Sequence, residues 1–128
     1  MGKILEKNSS TLYFLFRVLI GIGFLLHGIM KLPGILEGTT PFFSLFWLAG
    51  IIETLGGVFL IIGFVVRPTA FVTGMEMLFA YFYMHVASKG TLNPLKNGGE
   101  AAMLFFAAFL VLMSQGAGKW GIDRKKSR

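Results

Sequence analysis

Four apolar stretches, each close to the length of a bilayer crossing, take up most of this chain. A membrane-spanning helix needs about 20 predominantly apolar residues, because each adds about 1.5 Å and the hydrocarbon core is about 30 Å thick. The stretches cover about residues 11–32, 42–66, 68–88 and 98–115. Inside hydrocarbon every backbone N–H and C=O must find a partner within the protein, which leaves only helices and closed barrels. Long unbroken apolar runs, rather than alternation with period two, select helices. Composition agrees, since 55% of the 128 residues are hydrophobic and 14% are charged. Soluble domains carry about 25% charged residues, and a soluble fold this small could not hide so much apolar surface. The expected fold is all-α: a single membrane domain over residues 1–128, built as a polytopic, antiparallel bundle of four transmembrane helices.

Breaker residues separate the stretches. Pro33-Gly34 closes the first, and the connection to Pro41 also holds Gly38, Thr39 and Thr40. Arg67-Pro68 forms a tight turn, with Pro68 at a favoured first helical position. Lys89 to Asn97 contains the turn formers Gly90, Asn93, Pro94 and Asn97, and Gly116 follows the last stretch. Connections this short make neighbouring helices antiparallel. Lys3, Lys7, Arg67, Lys119, Arg124, Lys125, Lys126 and Arg128 then fall on one side, eight cations against Lys31, Lys89 and Lys96 on the other. By the positive-inside rule both termini face the cytoplasm. Trp47, Trp120 and the tyrosines suit the interfacial belts. The first stretch does not read as a cleaved signal, because it contains Arg17 and no small-residue cleavage site follows. Met1-Gly2 begins a myristoylation pattern that fails at Glu6.

The net charge of +6 sits mostly in the two tails, which suits anionic headgroups and is too short for a groove-reading module, so nucleic acid is not an expected partner. The absence of cysteine excludes disulfides, thiolate zinc sites, iron–sulfur clusters and thiol redox chemistry on this chain.

Ionisable residues within spans are costly and turn inward toward partners. Here they are Arg17, His27, Glu53, Glu76, His85 and Glu100, with Lys31 at the outer end of the first span. By helical rise, Arg17 lies about 9 Å and Glu76 about 12 Å from the cytoplasmic side, so an Arg17–Glu76 ion pair is expected, either as a register-fixing neutral pair or as part of a ligand or proton site. Glu53 shares its helix face with Gly50, Gly57 and Gly56, small residues that let helices approach closely. It reads either as a protonated interhelical hydrogen-bond donor or as part of a proton or quinol site, with His27 in reach. His27 and Lys31 share a face at four-residue spacing. An outer cluster of His27, Lys31, Glu53, His85 and Glu100 is therefore geometrically allowed. Glu76 and His85, however, lie nine residues apart, about 180° around a regular helix, so both face the core only if the helix departs from regularity. Two histidines are the minimum for bis-His haem ligation or for a mixed His/Glu metal site, and no other haem or metal signature accompanies them.

In order and spacing these residues resemble the DoxX family of small bacterial and archaeal membrane proteins. The resemblance rests on Arg17-x3-Gly21, His27-Gly28-x2-Lys31-Leu32, Glu53-x2-Gly56-Gly57 followed by Gly63 and Arg67, then His85, Gly99-Glu100, and the ending from Gly116 to Asp123. In that ending Ala117 and Gly121 stand where the family more usually has proline and serine. The resemblance implies a small subunit of a quinone-linked redox or oxidative-stress system in a prokaryotic cytoplasmic membrane. The chain would carry no cofactor of its own, and a quinone or quinol would be the exchanging ligand. A soluble or membrane oxidoreductase would be the partner, beside the lipid bilayer and a further copy of the chain. Any enzymatic role would be that of an accessory subunit. The alternative is a non-enzymatic scaffold, chaperone or assembly factor, with a small transporter or lipid-binding protein third. Family and fold fix the chemistry less well than the architecture.

Overall fold

The computed structural model describes residues 1–123; Arg124, Lys125, Lys126 and Arg128, which contribute to the charge asymmetry, lie outside the described residues. Every regular element among the described residues is helical. They are α1 (Gly2–Lys7), α2 (Ser9–Leu36), α3 (Leu45–Ile62), α4 (Val66–Ala80), a π-helical segment (Tyr81–Val86), α5 (Ala87–Lys89), α6 (Pro94–Asn97) and α7 (Glu100–Gln115). Helices α2 and α3 are long and apolar enough to cross a membrane, and α7 is a shorter apolar helix.

The element ends differ from the expected ones for local reasons. Helix α2 runs past Pro33 to Leu36. Proline removes only one donor this close to a helix end, and the carbonyl of Gly34 is capped by the Thr40 N–H at 3.0 Å. Helix α4 begins two residues before Pro68, which then falls in the first turn, where backbone N–H groups have no intrahelical acceptor anyway. The intervening turn is tight because Gly63 (φ 73°) and Val65 (φ 42°) are both left-handed, an uncommon state for a β-branched residue.

Two helix pairs set the packing. Along α2 and α3, Gly21 faces Ile61 and Gly28 faces Thr54, so the two helices run antiparallel. A Cβ at Gly57 would lie 2.6 Å from the Leu25 nitrogen and 2.7 Å from its Cα, closer than side chains allow. Helices α4 and α7 are also antiparallel: Arg67 reaches Met113 and Ser114, Gly74 abuts Phe109, and Tyr81 and His85 abut Gly99. Helix α3 meets α4 where Gly56 rests on Thr69 and Thr73. Phe24, Leu60, Val66, Ala70, Phe109 and Leu112 fill the core where the pairs meet. Large apolar side chains such as Leu19, Leu26, Phe71, Phe79 and Leu104 point outward. A contiguous apolar exterior of this kind is what lipid permits and water does not.

The molecule has two unlike ends. The terminal end gathers the start of α2, the α3–α4 turn and the segment after α7. The loop end gathers the α2–α3 connection, the π segment, α6 and the start of α7.

Candidate functional site

A cavity of about 380 Å³ lies between the helices toward the loop end. Its walls are mainly apolar, with Phe24, Phe46, Met77 and Phe105 among them, and five ionisable side chains converge on it: His27, Lys31, Glu53, Glu76 and His85. Glu53 is buried and Lys31 donates to its carboxylate at 2.7 Å, the one side-chain ion pair among the described residues. The ammonium also lies 5.5 Å from the Phe46 ring centroid, close enough for a cation–π contact. The expected His27–Glu53 approach is therefore replaced by a lysine one turn further along the same face. His27 instead donates from Nδ1 to the Gly23 carbonyl at 2.8 Å and meets the edge of Phe105. Because a carbonyl can only accept, the neutral ring is fixed with its proton on Nδ1 and its Nε2 lone pair free. Glu76 faces the Glu53 carboxyl. Its Oε1 is the one buried side-chain polar atom without a hydrogen-bond partner among the described residues. Such an atom is costly unless a ligand, water or proton supplies the missing bond.

The π segment settles how Glu76 and His85 share this cavity. Nine residues of regular helix would separate them by about 180°. A π turn inserts one extra residue, so the effective separation is eight residues, about 80°. His85 sits within that segment and lines the same wall as Glu76. The segment is held by the Tyr81 hydroxyl, which donates to the Leu92 carbonyl, and by the close approach of Gly99. Asn97, fully buried, ties this corner together: its amide donates to the Thr91 carbonyl at 3.0 Å and its Oδ1 accepts from the Gly99 N–H at 2.7 Å. Sequence reading treated Asn97 only as a turn former; a polar residue just before Gly98-Gly99 and a helix start was the available signal.

Two of the expected site residues lie elsewhere. Glu100 is exposed at the first turn of α7 and outside the cavity, where its charge complements the helix N-terminus. Arg17 does not pair with Glu76. It is fully buried at the terminal end, and its guanidinium donates to four backbone carbonyls: Leu60 at 2.6 Å, Ile61 at 2.9 Å, Ala117 at 2.9 Å and Lys119 at 3.3 Å. The last carbonyls of a helix have no intrahelical donor, so a buried helix end attracts a rigid multi-donor cation more strongly than a carboxylate farther up the core does. The rest of that end is accounted for in the same way. The Ile122 and Asp123 N–H groups donate to the carbonyls of Ile62 and Gly63. The Asp123 carboxylate accepts from the N–H groups of Val65 (2.7 Å) and Val66 (2.9 Å), capping α4. Arg67 donates to Met113 and Ser114 at the end of α7, and the Tyr13 hydroxyl to Gly116 at 2.5 Å. Sequence reading counted Arg67 and Asp123 as topology and ending; they are helix caps.

An all-helical protein of membrane character, with a mainly apolar cavity between its helices on which ionisable side chains converge, is the class that this geometry defines. The sequence model of the DoxX family matches residues 12–86, and the chain belongs to that family. The matched region carries all five cavity groups and Arg17, and stops before Glu100 and the capping segment that ends at Asp123. A relative in Haemophilus influenzae, described as an uncharacterized protein, is 37% identical over 127 residues, covering 94% of this chain and 95% of its own. No solved structure matches the chain.

Proposed function

We propose that this DoxX-family protein is a small membrane subunit of a quinone-linked redox or oxidative-stress system that holds a quinone or quinol head group in the loop-end cavity. The cavity itself carries the reading. Its volume of about 380 Å³ falls within the range of small-molecule sites, about 300–1,000 Å³. Phe24, Phe46 and Phe105 offer faces and edges to a flat ring. Lys31 and the ring N–H of His85 are donors for a quinone carbonyl, and the free Oε1 of Glu76 and Nε2 of His27 are acceptors for a quinol hydroxyl. The electrons would be carried by a partner oxidoreductase, soluble or membrane-bound, so this chain would act as an accessory subunit.

In the same reading α2, α3, the continuous helix from Val66 to Lys89, and α7 form a transmembrane four-helix bundle with both termini in the cytoplasm of a prokaryote. The excess of Lys and Arg toward the terminal end supports that orientation. Purification in mild detergent, followed by extraction and titration with a short-chain quinol, tests the function. The expected result is bound quinone in the extract and saturable binding that falls at least tenfold in Glu76→Gln but not in Glu100→Gln. No quinone in the extract together with no saturable binding refutes it and leaves the scaffold reading.

A further inference from the structure

The cavity lies nearer one end of the molecule, and buried core separates it from the other. Its lining comes from Lys31 at the end of α2, Leu45, Phe46 and Ala49 at the start of α3, Met84 and His85 of the π segment, and Gly98 and Ala101 around the start of α7. All of these belong to the loop end. Toward the terminal end the cavity stops at Phe24, Glu53, Glu76 and Phe105. Beyond them Leu60, Val66, Ala70, Phe109 and Leu112 are at 0% exposure. Glu76 and Val66 are ten residues apart on one helix, roughly 15 Å. A separate apolar groove of about 270 Å³ lies between α3 and α4 along this stretch, lined by Gly56, Phe59, Thr69 and Thr73 among others, and it shares no lining residue with the cavity.

The polar atoms within that layer do not continue a path. Thr73 donates back to the carbonyls of Thr69 and Ala70 in its own helix. Below it stands the Arg17 guanidinium, fully buried with its donors committed to backbone carbonyls. A fixed cation in a narrow apolar passage is an electrostatic barrier to protons and other cations.

We propose that the cavity is a one-sided port: Glu76 exchanges its proton, and the site its ligand, only with the compartment and leaflet at the loop end, opposite the termini. The groups that face Glu76 along the way out are Glu53 from α3, His27 and Lys31 from α2, and His85 from the π segment; α7 contributes only uncharged lining. Of the Lys31–Glu53 pair, Lys31 lies on the loop-end side with its side chain 19% exposed, and Glu53 lies deeper with its side chain 5% exposed. A proton lost from any ligand bound beside Glu76 therefore leaves on the side away from the termini. The inference rests on the reading of the cavity as a ligand site within a membrane-spanning chain, and not on the ligand being a quinone.

The chain has no cysteine, so single substitutions report cleanly. Ala80→Cys and Ala101→Cys place small thiols on the cavity wall, and Ser10→Cys marks the terminal end at an exposed position. Each variant is exposed, in sealed vesicles of known orientation, to a membrane-impermeant cationic methanethiosulfonate added to one face at a time. Expected is modification of both cavity thiols from the face opposite to that which modifies Ser10→Cys, at least tenfold faster than from the other face. Three outcomes overturn the port. One is modification from the Ser10→Cys face, and another is equal modification from both. The third is none from either face for thiols that react once the protein is solubilised in detergent. Protection of Ala101→Cys by a short-chain quinol is read separately. Loop-end modification without protection leaves the port standing and counts against the quinone reading.

Discussion

Replacing Arg17 by leucine tests the reasoning about the terminal end most directly. The side chain is fully buried, and two of its four hydrogen bonds, to the carbonyls of Leu60 and Ala117, are buried as well. Each buried carbonyl left without a donor costs about 1–3 kcal/mol, so the two together cost about 2–6 kcal/mol. Water can reach the carbonyls of Ile61 and Lys119, whose bonds are only partly buried, and these add little. Removing a charge from the interior offsets part of the loss, which brings the expected net destabilisation to about 2–3 kcal/mol. Arg17→Lys falls between, because an ammonium presents three donors from one atom and cannot span carbonyls on α3 and on the segment after α7 together. Equilibrium unfolding in mixed micelles, followed by circular dichroism, measures both. A stability within about 0.5 kcal/mol of the unsubstituted protein would refute the capping account. So would a coupling energy above about 1 kcal/mol between Arg17→Leu and Glu76→Gln in a double-mutant cycle, since that would mean that the two residues interact after all.

Further expectations follow from other contacts. Gly57→Ala forces a Cβ against the Leu25 backbone and should cost about 1–3 kcal/mol in the same assay, whereas Gly38→Ala adds only local backbone strain at a site with open space. Asp123→Ala removes both caps from the start of α4 and should cost about 0.5–2 kcal/mol. Lys31→Met strands the buried Glu53 carboxylate and should cost about 3–5 kcal/mol, most of it recovered in Lys31→Met/Glu53→Gln; no recovery in the double variant would show that the ion pair is not what is lost. Deleting Phe82 removes the one extra residue, so the segment returns to regular helix while position 85 stays about 80° from Glu76. A cysteine at position 85 should then react with the impermeant thiol reagent both in the full-length chain and in the deletion, and loss of that reactivity in the deletion would refute the account of the π turn.

The helices and the identities of the polar residues were legible because lipid makes both expensive to disguise: apolar runs of span length have few other uses, and a charge within one is rare. Partners were less legible. Arg17 and Glu76 share an approximate depth, but depth is one coordinate of three, and the acceptors that bind Arg17 are backbone carbonyls that no residue letter displays. The breakers Gly63 and Gly116 close to that depth were the signal that two helix ends lie there. The Lys31–Glu53 pair was available in principle, as the lysine one turn beyond His27, yet a lysine near a span end reads first as reaching for the interface. The nine-residue conflict between Glu76 and His85 carried its own answer. An irregularity between them was required, and the π segment supplies it. Glu100 followed its position in sequence rather than its place on the helix, and it faces outward.

The terminal end also constrains the order in which the chain can be finished. Residues 116–123 supply or receive the bonds that complete α2, α3 and α4 at this end, yet they are translated more than fifty residues after the α3–α4 turn they hold. Chains are made from the N-terminus onward, so the helices that precede this segment are complete while the α3 carbonyls and α4 amides it binds are still served by water. Arg17 waits with half of its acceptors missing. This segment works as a latch thrown only after the helices it holds have been made. A fusion or truncation that holds it away should leave a nascent protein that inserts normally but stays open at one end, a state in which membrane quality control has backbone to grip.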